Sequence, residues 1–240
     1  MPVYMLTDDL IFPPPELAED DGLLAIGGDL KPERLLLAYS MGIFPWFSDD
    51  SPIMWWTLDP RMVLFPSKLK VSASLRQTLR SGRFQVTFDE AFDKVITACA
   101  EIDRPDQDGT WIGDEMIKAY QALHQAGYAH SVEVWRENHL AGGLYGVSLG
   151  RIFFGESMFY HESNASKVAL WHLVERLRGW DFPLIDAQQE TQHLRSLGAE
   201  TIPRKAFEKH LQQALQHETI SGSWSLKINR IFYKNKKYDP

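Results

Sequence analysis

RIFFGESMFYHESNASKVALWHLVERLRGWDFPLIDAQ, residues 151–188, is the stretch of sequence that decides the fold. It opens with an extended segment, Arg151–Phe159, in which apolar residues predominate. An amphipathic helix is predicted from about Asn164 to Arg178, capped by Ser163 or Asn164, because these residue types favour the N-cap position. The inward face of that helix consists of Leu170, Leu173, Val174 and Leu177. A short apolar strand, Phe182–Asp186, completes a strand–helix–strand unit.

Further strands and helices surround this unit. Two extended segments upstream, His130–Arg136 and His139–Ser148, are followed by turn residues that predict antiparallel hairpins. One helix is predicted to begin near Asp89 and a second to run from about 113 to 126, and a last helix is expected after Pro203. Antiparallel strands followed by a helix and another strand predict an α+β fold with a mixed, largely antiparallel sheet.

The first sixty residues have a different composition from the rest. They are rich in proline, glycine and aromatic residues, and they contain one clear helix, with Pro32 in its first turn and Gly42 after its end. The remainder consists of turns and short extended pieces. We therefore predict a small irregular N-terminal domain at 1–59 and a larger domain at 60–240.

The cysteine content and the N-terminus bear on the compartment. Cys99 is the single cysteine, so no intrachain disulfide can form, and its position on an apolar helix face predicts a buried thiol. The N-terminus lacks the basic start and apolar run of a signal peptide, and no stretch of about 20 apolar residues occurs. We therefore expect a soluble cytoplasmic protein that has no contact with a membrane.

Charge is distributed unevenly along the chain. The net charge of −7 argues weakly against nucleic acid as a partner. Residues 60–88 nevertheless contain no acidic residue, and the tail carries further basic residues. The basic residues of this segment are Arg61, Lys68, Lys70, Arg76, Arg80 and Arg83, and those of the tail are Lys227, Arg230, Lys234, Lys236 and Lys237. Such a segment predicts a local anion-binding face, although a solvated surface explains it equally well.

Carboxylates and an amide on the two strands of the opening stretch are the candidate catalytic groups. The alternation of a strand places Glu156 on one face with Phe154 and Met158, where a carboxylate is costly to bury without a partner. A structural ion pair with an arginine is the alternative interpretation. Asp186 and Gln188 share a face at the end of the second strand, a common location for catalytic groups, although such pairs also cap turns.

Several other chemistries are excluded by missing motifs. The sequence contains no His-Glu-x-x-His motif, and its eight histidines show no metal-ligand spacing. Neither a P-loop nor a Gly-x-Ser-x-Gly nucleophile elbow is present. We therefore expect neither a metal centre nor a bound cofactor.

The strand–helix–strand unit resembles the core of GNAT-type acyltransferases. Those enzymes usually carry a glycine-rich loop before the helix, where backbone N–H groups bind the pyrophosphate of coenzyme A. The corresponding connection here, residues 160–166, contains no glycine. This difference disfavours coenzyme A as the acyl donor.

Nearly the whole chain resembles the bacterial leucyl/phenylalanyl-tRNA–protein transferases. The resemblance is carried by residues 22–30 (GLLAIGGDL), 42–47 (GIFPWF), 55–56 (WW), 109–112 (GTWI), 130–135 (HSVEVW), 142–147 (GGLYGV), 154–159 (FGESMF), 164–167 (NASK) and 184–188 (LIDAQ). It implies a small N-terminal lobe and a GNAT-like catalytic domain. It also implies transfer of leucine or phenylalanine, with methionine as a further candidate, from aminoacyl-tRNA to the α-amine of proteins that begin with Arg or Lys, which marks them for N-end-rule degradation.

The resemblance also assigns roles at the reacting centre. Asp186 and Gln188 are placed there, and the carbonyl oxygen of Gln188 can accept a hydrogen bond from the attacking amine. Asp186 would orient Gln188 or stabilise the developing ammonium. The aminoacyl pocket that the resemblance implies consists of Leu144, Met158, Leu170 and Ile185, with Glu156 near its floor.

Contacts with the tRNA follow from the resemblance as well. Trp46 and Trp111 are candidates for stacking on the terminal adenosine, since single-stranded RNA ends are bound largely by stacking. Trp55, Trp56 and Trp135 are expected to be core residues instead. The basic residues Lys68, Lys70, Arg76, Arg80 and Arg83 would bind the phosphates of the acceptor stem.

Three other functions compete with this interpretation. A small-molecule N-acyltransferase would need the coenzyme A loop that is missing. A non-catalytic RNA-binding module conflicts with the net charge of −7 and with the polar pair Asp186 and Gln188. A peptidoglycan-bridge aminoacyltransferase is usually longer and internally repeated, and no such repeat occurs here.

Overall fold

A computed structural model describes residues 3–48, 50–102 and 112–225 of the chain. The strands of this part of the chain are β1 (Tyr4–Leu6), β2 (Leu23–Gly27), β3 (Phe44–Pro45), β4 (Met54–Trp56), β5 (Arg61–Leu64), β6 (Gln85–Phe88), β7 (Ala129–Arg136), β8 (His139–Leu149), β9 (Ile152–Tyr160), β10 (Leu184–Gln188) and β11 (Glu200–Ile202). The helices are α1 (Pro32–Ser40), α2 (Ala73–Ser81), α3 (Phe92–Glu101), α4 (Asp114–Gln125), α5 (Ala165–Gly179), α6 (Gln192–Ser196) and α7 (Arg204–Leu215). Short 3-10 turns occur at Pro15–Leu17 and Pro66–Lys68.

The small lobe is built around a four-stranded sheet in the order β1-β2-β4-β3. Trp55 in β4 is fully buried, and its indole N–H donates to the carbonyl oxygen of Gly27, as a buried tryptophan requires. Helix α1 begins at Pro32 and is followed by Gly42 at φ 74°, a left-handed conformation that favours glycine. A Cβ atom at Gly42 would also lie 3.0 Å from the ring of Phe207 on α7. The predicted helix and its stop signal are confirmed.

The larger sheet has seven strands in the order β11-β5-β10-β9-β8-β7-β6. Its pairs are antiparallel except for β9 and β10, which run parallel with Asp186 opposite Phe154. Parallel neighbours need a crossover, and α5 provides it. The predicted α+β class with a mixed, largely antiparallel sheet is confirmed, and this crossover brings the two candidate catalytic strands side by side.

Asn164 occupies the N-cap position of α5, one of the two predicted, but it does not cap the helix as expected. Its backbone is left-handed (φ 70°) and its side chain makes no capping bond. The side-chain amide of Asn164 donates instead to the hydroxyl of Thr78 on α2. The carbonyl oxygen of Ser163 accepts a bond from Arg83. These groups therefore attach α5 to the segment that contains α2.

Two hydrophobic cores lie on opposite faces of the large sheet. In β5, Met62 and Leu64 belong to the core that includes α2 and α5, whereas Val63 belongs to the core that includes α1, α3, α4 and α7. Cys99 lies in the latter core and is buried, as predicted. Because α1 belongs to the small lobe, this core joins the small lobe to the sheet. The domain boundary after residue 59 stays a prediction.

Two local features differ from the pattern-based expectation. The helix predicted to begin near Asp89 begins at Phe92, because Asp89 is left-handed (φ 58°) and its carboxylate accepts bonds from His130 and from the backbone N–H of Ser131. Helix α2 was not predicted, although Ser72 caps it by accepting from the N–H of Leu75. None of the helices in the described part of the chain combines the length and the apolar character needed to cross a bilayer.

Candidate active site

A β-bulge in β9 places Glu156 and Met158 on opposite faces of the sheet. Tyr145 of β8 pairs with Ser157, but the next residue, Gly146, pairs with Gly155, so Glu156 is the extra residue of the bulge. The predicted common face for Phe154, Glu156 and Met158 is therefore wrong. Phe154 and the carboxyl group of Glu156 lie on the side of the core shared with the small lobe, while Met158 packs against the other core.

Three polar side chains surround the carboxyl group of Glu156. The hydroxyl of Tyr39 on α1 lies 2.8 Å from Oε1, and the hydroxyl of Tyr120 on α4 lies 2.9 Å from Oε2. The two hydroxyl oxygens are themselves only 2.5 Å apart. The amide Nε2 of Gln188 completes the set by donating to Oε1 over 3.2 Å. Glu156 is thus bonded to two tyrosines and a glutamine, not to an arginine as the alternative interpretation proposed.

This environment changes the acidity of Glu156. Burial is the largest influence and raises the pKa of Glu156 to about 7, against the lowering effect of the hydrogen bonds from Tyr39 and Tyr120. The neighbouring Asp186 raises this pKa further, and Arg61 lowers it. Burial beside Glu156 also raises the pKa of both tyrosines, so their hydroxyls stay protonated at neutral pH.

A second bulge sits in β10 between Asp186 and Gln188. Gln188 has a left-handed backbone (φ 52°), which is costly for a residue with a side chain and is typical of functional positions. The backbone N–H of Gln188 donates to Oδ1 of Asp186 over 3.0 Å. Asp186 thereby stabilises the bulge that directs the side chain of Gln188 towards Glu156.

Asp186 is fully buried and paired with Arg61. Nε and Nη2 of Arg61 donate to Oδ1 and Oδ2 of Asp186 over 2.8 and 2.7 Å, a bidentate arrangement. The guanidinium lies between the rings of Phe44 and Phe207, each at 4.7 Å. Among the described residues, Nη1 of Arg61 has no hydrogen-bond partner. Both carboxylate oxygens of Asp186 accept hydrogen bonds from Arg61.

Sequence reasoning missed three residues of this site. Arg61 was counted with the basic surface segment, whereas it is fully buried. Tyr120 was recognised only as a member of the inward face of its helix, and Tyr39 was not singled out. A tyrosine on an apolar helix face needs a hydrogen-bond partner, and that requirement was the available signal.

The apolar residues of the predicted aminoacyl pocket lie together. Leu144, Leu170 and Ile185 are buried members of the core that includes α5, and the partly buried Met158 packs against this core opposite Leu144. The carboxyl group of Glu156 bonds on the opposite side of the sheet, towards Tyr39. The structure thus brings the four apolar residues together and separates the Glu156 carboxyl group from them.

The tryptophans divide as follows. Trp46 is partly buried, and its ring centroid lies 5.6 Å from that of Trp56. Trp111 lies outside the described residues. Trp55 is a core residue, as expected, while Trp56 is only partly buried and donates its indole N–H to the carbonyl oxygen of Trp46. Trp135 is also partly buried, and its indole donates to Thr87.

The predicted phosphate-binding residues are all exposed. Arg76 and Arg80 lie on α2 and flank the buried Leu75 and Thr78. Lys68, Lys70 and Arg83 lie on either side of this helix. Lys68 is paired with Glu200 over 2.6 Å, and Arg83 donates to the carbonyl oxygen of Ser163. The basic residues of the tail lie outside the described residues.

Comparison with known proteins gives concordant matches along the chain. A family model described as leucyl/phenylalanyl-tRNA protein transferase matches residues 63–212, and one described as the N-terminal domain of the same protein matches residues 28–59. A leucyl/phenylalanyl-tRNA–protein transferase of Desulfatibacillum aliphaticivorans is 58% identical over 226 residues, which cover 94% of this chain and 97% of the relative. The relative of the same name from Myxococcus xanthus is 54% identical over 227 residues, with coverage of 94% and 97%.

Solved structures show much weaker similarity. L-PGS from Bacillus licheniformis is similar with a TM-score of 0.39 and 11% identity, covering 79% of this chain and 64% of that one. An aminoglycoside acetyltransferase from an uncultured soil sample is similar with a TM-score of 0.35 and 12% identity, covering 49% and 84%. Similarity at this level supports no conclusion about donor or substrate.

Proposed function

The chain belongs to the leucyl/phenylalanyl-tRNA–protein transferase family, and we propose that the cluster of Gln188, Asp186 and Glu156 is the site of its reaction. It is an aminoacyltransferase that moves leucine or phenylalanine from aminoacyl-tRNA to a protein. The acceptors we propose are proteins that begin with Arg or Lys, which the added residue marks for N-end-rule degradation. We further propose that it works in the cytoplasm.

The reaction is the aminolysis of an ester. The acceptor's α-amine attacks the ester carbonyl carbon, a C–N bond forms, the C–O bond to the terminal ribose breaks, and a proton passes from nitrogen to the released ribose oxygen. An α-amine has an unperturbed pKa of about 7.7–8.0, so roughly a tenth or more is neutral at pH 7. The site therefore needs no strong base, and positioning of the two substrates supplies much of the acceleration.

Gln188 is the residue we place next to the attacking amine. Its Nε2 donates to Glu156, so the amide orientation is fixed and the carbonyl oxygen is left to accept from another donor. This orientation is the observation that carries the proposal. A neutral amide accepts a hydrogen bond from the amine without removing a proton, which matches a reaction that needs orientation more than basicity.

Asp186 acts as a positioning residue in this proposal. Its two oxygens are occupied by Arg61 and by the backbone N–H of Gln188, and its side chain is fully buried. Of the two roles predicted for Asp186, orientation of Gln188 is therefore favoured over direct contact with the developing ammonium.

The donor contacts remain those that the family resemblance implies. The apolar group of Leu144, Met158, Leu170 and Ile185 would hold the side chain of leucine or phenylalanine, with methylene-level discrimination of about 1–3 kcal/mol. Trp46 and Trp111 would stack on the terminal adenosine, and the exposed basic residues around α2 would bind acceptor-stem phosphates.

Transfer of radiolabelled leucine from leucyl-tRNA tests this function. We expect labelling of a protein that begins with Arg and none of the same protein beginning with Ala. Gln188→Ala should lower kcat by about 10²-fold, as removal of a positioned group commonly does. Gln212→Ala, an exposed glutamine on α7, is the matched control and should keep full activity. Near-normal turnover in Gln188→Ala would reduce Gln188 to a binding residue.

A further inference from the structure

The oxygens of Glu156, Tyr39 and Tyr120 form a closed ring of three short contacts. The contacts measure 2.8 Å from Tyr39 to Oε1, 2.9 Å from Tyr120 to Oε2 and 2.5 Å between the two hydroxyls. Each hydrogen bond needs one hydrogen, and each tyrosine hydroxyl carries only one. With an ionised Glu156, two hydrogens would serve three contacts, so one pair of oxygens between 2.5 and 2.9 Å apart would have no hydrogen between them.

A proton on Glu156 resolves this shortage. Oε2–H then donates to Tyr120, the hydroxyl of Tyr120 donates to Tyr39, and the hydroxyl of Tyr39 donates to Oε1. Every contact in the ring contains one hydrogen, and all the bonds run in the same direction. Oε1 is then a carbonyl oxygen, which has two lone pairs and accepts from both Tyr39 and Nε2 of Gln188.

We propose that Glu156 is a neutral carboxylic acid in the active enzyme and that its ring with Tyr39 and Tyr120 positions the amide of Gln188 for the attacking amine. This inference rests on the proposed role of Gln188. It makes Glu156 and the two tyrosines positioning residues that act through Gln188, and it connects the small lobe to the reacting centre through Tyr39.

The groups around the ring are consistent with a neutral Glu156. Asp186 on the adjacent strand is buried and negative, so a second negative charge on Glu156 is disfavoured. Among the largest influences on Glu156, the cation is Arg61, which is already paired with Asp186. Tyr145 on β8 faces both ring tyrosines. Burial raises the pKa of Glu156 to about 7, so the protonated form predominates below neutral pH.

Replacement of Glu156 by glutamine and by alanine tests the proposal. Glutamine is a neutral isostere: its amide N–H can donate to Tyr120 and its carbonyl oxygen can accept from Tyr39, which preserves the ring. At pH 6.5, Glu156→Gln should retain kcat within about threefold, whereas Glu156→Ala should lose at least about tenfold because Gln188 is no longer held. An equal loss in both variants would overturn the proposal.

The pH profile gives a second readout. Wild-type turnover should rise in proportion to the deprotonated fraction of the acceptor amine up to about pH 7. Above pH 7 it should rise less than that fraction, because Glu156 loses its proton. Glu156→Gln should instead follow the amine alone up to about pH 8. In addition, the infrared difference spectrum of wild type minus Glu156→Gln should contain the carbonyl band of a neutral carboxyl group at pH 6. Identical pH profiles, or absence of that band, would refute a neutral Glu156.

Tyrosine variants separate positioning from fold stability. Tyr39→Phe and Tyr120→Phe should each lower kcat about tenfold while the KM for aminoacyl-tRNA stays within twofold. In a Gln188→Ala background Tyr39→Phe should cause no further loss. If Tyr39→Phe still lowered kcat about tenfold in the Gln188→Ala background, Tyr39 would not act through Gln188. Tyr160→Phe, at an exposed tyrosine, is the matched control.

The same set of variants distinguishes the two proposals. If Gln188→Ala keeps normal turnover, the proposed role of Gln188 fails, whatever Glu156 does. If Gln188→Ala is impaired but Glu156→Gln is as poor as Glu156→Ala, the role of Gln188 stands and the neutral ring fails.

Discussion

At the scale of single residues, the acidity of Glu156 results from opposing effects. Hydrogen bonds from Tyr39 and Tyr120 favour the ionised form, and burial together with the charge of Asp186 favours the neutral form. Burial is the larger effect, so this carboxyl group titrates near neutrality. Groups with such shifts concentrate at functional sites, and here the geometry independently indicates one.

The stability of the protein should report this shift. Folding raises the pKa of Glu156 from 4.5 to about 7, so the contribution of Glu156 to stability is fully present below pH 4.5 and is lost as the pH rises through 7. Relative to Glu156→Gln, the wild type should lose up to about 3 kcal/mol of unfolding free energy between pH 4.5 and 8. This figure is an upper bound because Glu156 is partly exposed to solvent, which screens the effect.

Urea unfolding of both proteins at a series of pH values measures this difference. The comparison with Glu156→Gln cancels the contributions of all other titrating groups. Parallel stability curves for the two proteins would contradict a raised pKa at Glu156.

Asp186 and Arg61 illustrate a different residue-scale effect. Removing one member of a buried pair leaves an uncompensated charge and typically costs about 3–5 kcal/mol. Loss of activity in Asp186→Ala would therefore combine a change in the position of Gln188 with a general loss of stability. For this reason Gln188→Ala is the more informative test of the reacting centre.

At the scale of elements, two bulges on neighbouring strands build the site. One separates the face of Glu156 from that of Met158, and the other coincides with the left-handed backbone of Gln188. Each bulge adds one residue to a strand and reverses the faces of the residues that follow. Because β9 and β10 are parallel neighbours, the side chains of Glu156 and Gln188 meet on one face of the sheet.

Gly146→Ala should disrupt the bulge of β9. A Cβ atom at Gly146 would lie 2.2 Å from the carbonyl oxygen of Phe154 and 2.5 Å from the ring of Phe153, so β8 and β9 must move apart. We expect a loss of about 1–3 kcal/mol in unfolding free energy and a loss of transfer activity beyond the unfolded fraction. Thermal unfolding and leucine transfer measure the two effects.

Gly155→Ala is the matched control on the same bulge. The nearest atoms to a Cβ there, in Asp186 and Ile185, are 3.6 Å away, which is ordinary contact. If both alanine variants lose activity equally, close packing at Gly146 is not what maintains the bulge.

At the scale of the whole molecule, charge is separated between surfaces. The chain carries a net charge of −7, yet Arg76, Arg80 and their basic neighbours are exposed around α2. A local positive face on an acidic protein attracts phosphates while the rest of the surface repels them.

Charge reversal on α2 should therefore affect tRNA and not the chemistry. Arg76→Glu with Arg80→Glu should weaken use of leucyl-tRNA and reduce the salt dependence of donor binding, while transfer from a minimal aminoacyl-adenosine donor stays normal. Donor titrations at several salt concentrations measure this. Gln77→Glu, an exposed position on the same helix, controls for a single added charge. Equal losses with both donors would contradict phosphate binding by α2.

Much of the fold could be predicted because its elements have strong local patterns. Helices α1, α5 and α7 and the hairpins of β7, β8 and β9 follow apolar periodicity and turn residues that act within a few positions. Strand β5 was missed because it is only four residues long and begins with Arg61, which local patterns assign to a charged surface. Its place between β10 and β11 depends on distant pairing partners.

The sequence by itself determined the elements with strong local patterns, the α+β class, the family and the two strands that hold Glu156, Asp186 and Gln188. Only the tertiary structure decided what these residues contact. Tyr39 lies 117 positions from Glu156 along the chain, and Arg61 lies 125 positions from Asp186. Local patterns contain no information on such pairs, and a one-residue bulge reverses a side chain without altering the composition of its strand. The site therefore depends on register and crossover, which arise only when the whole sheet assembles.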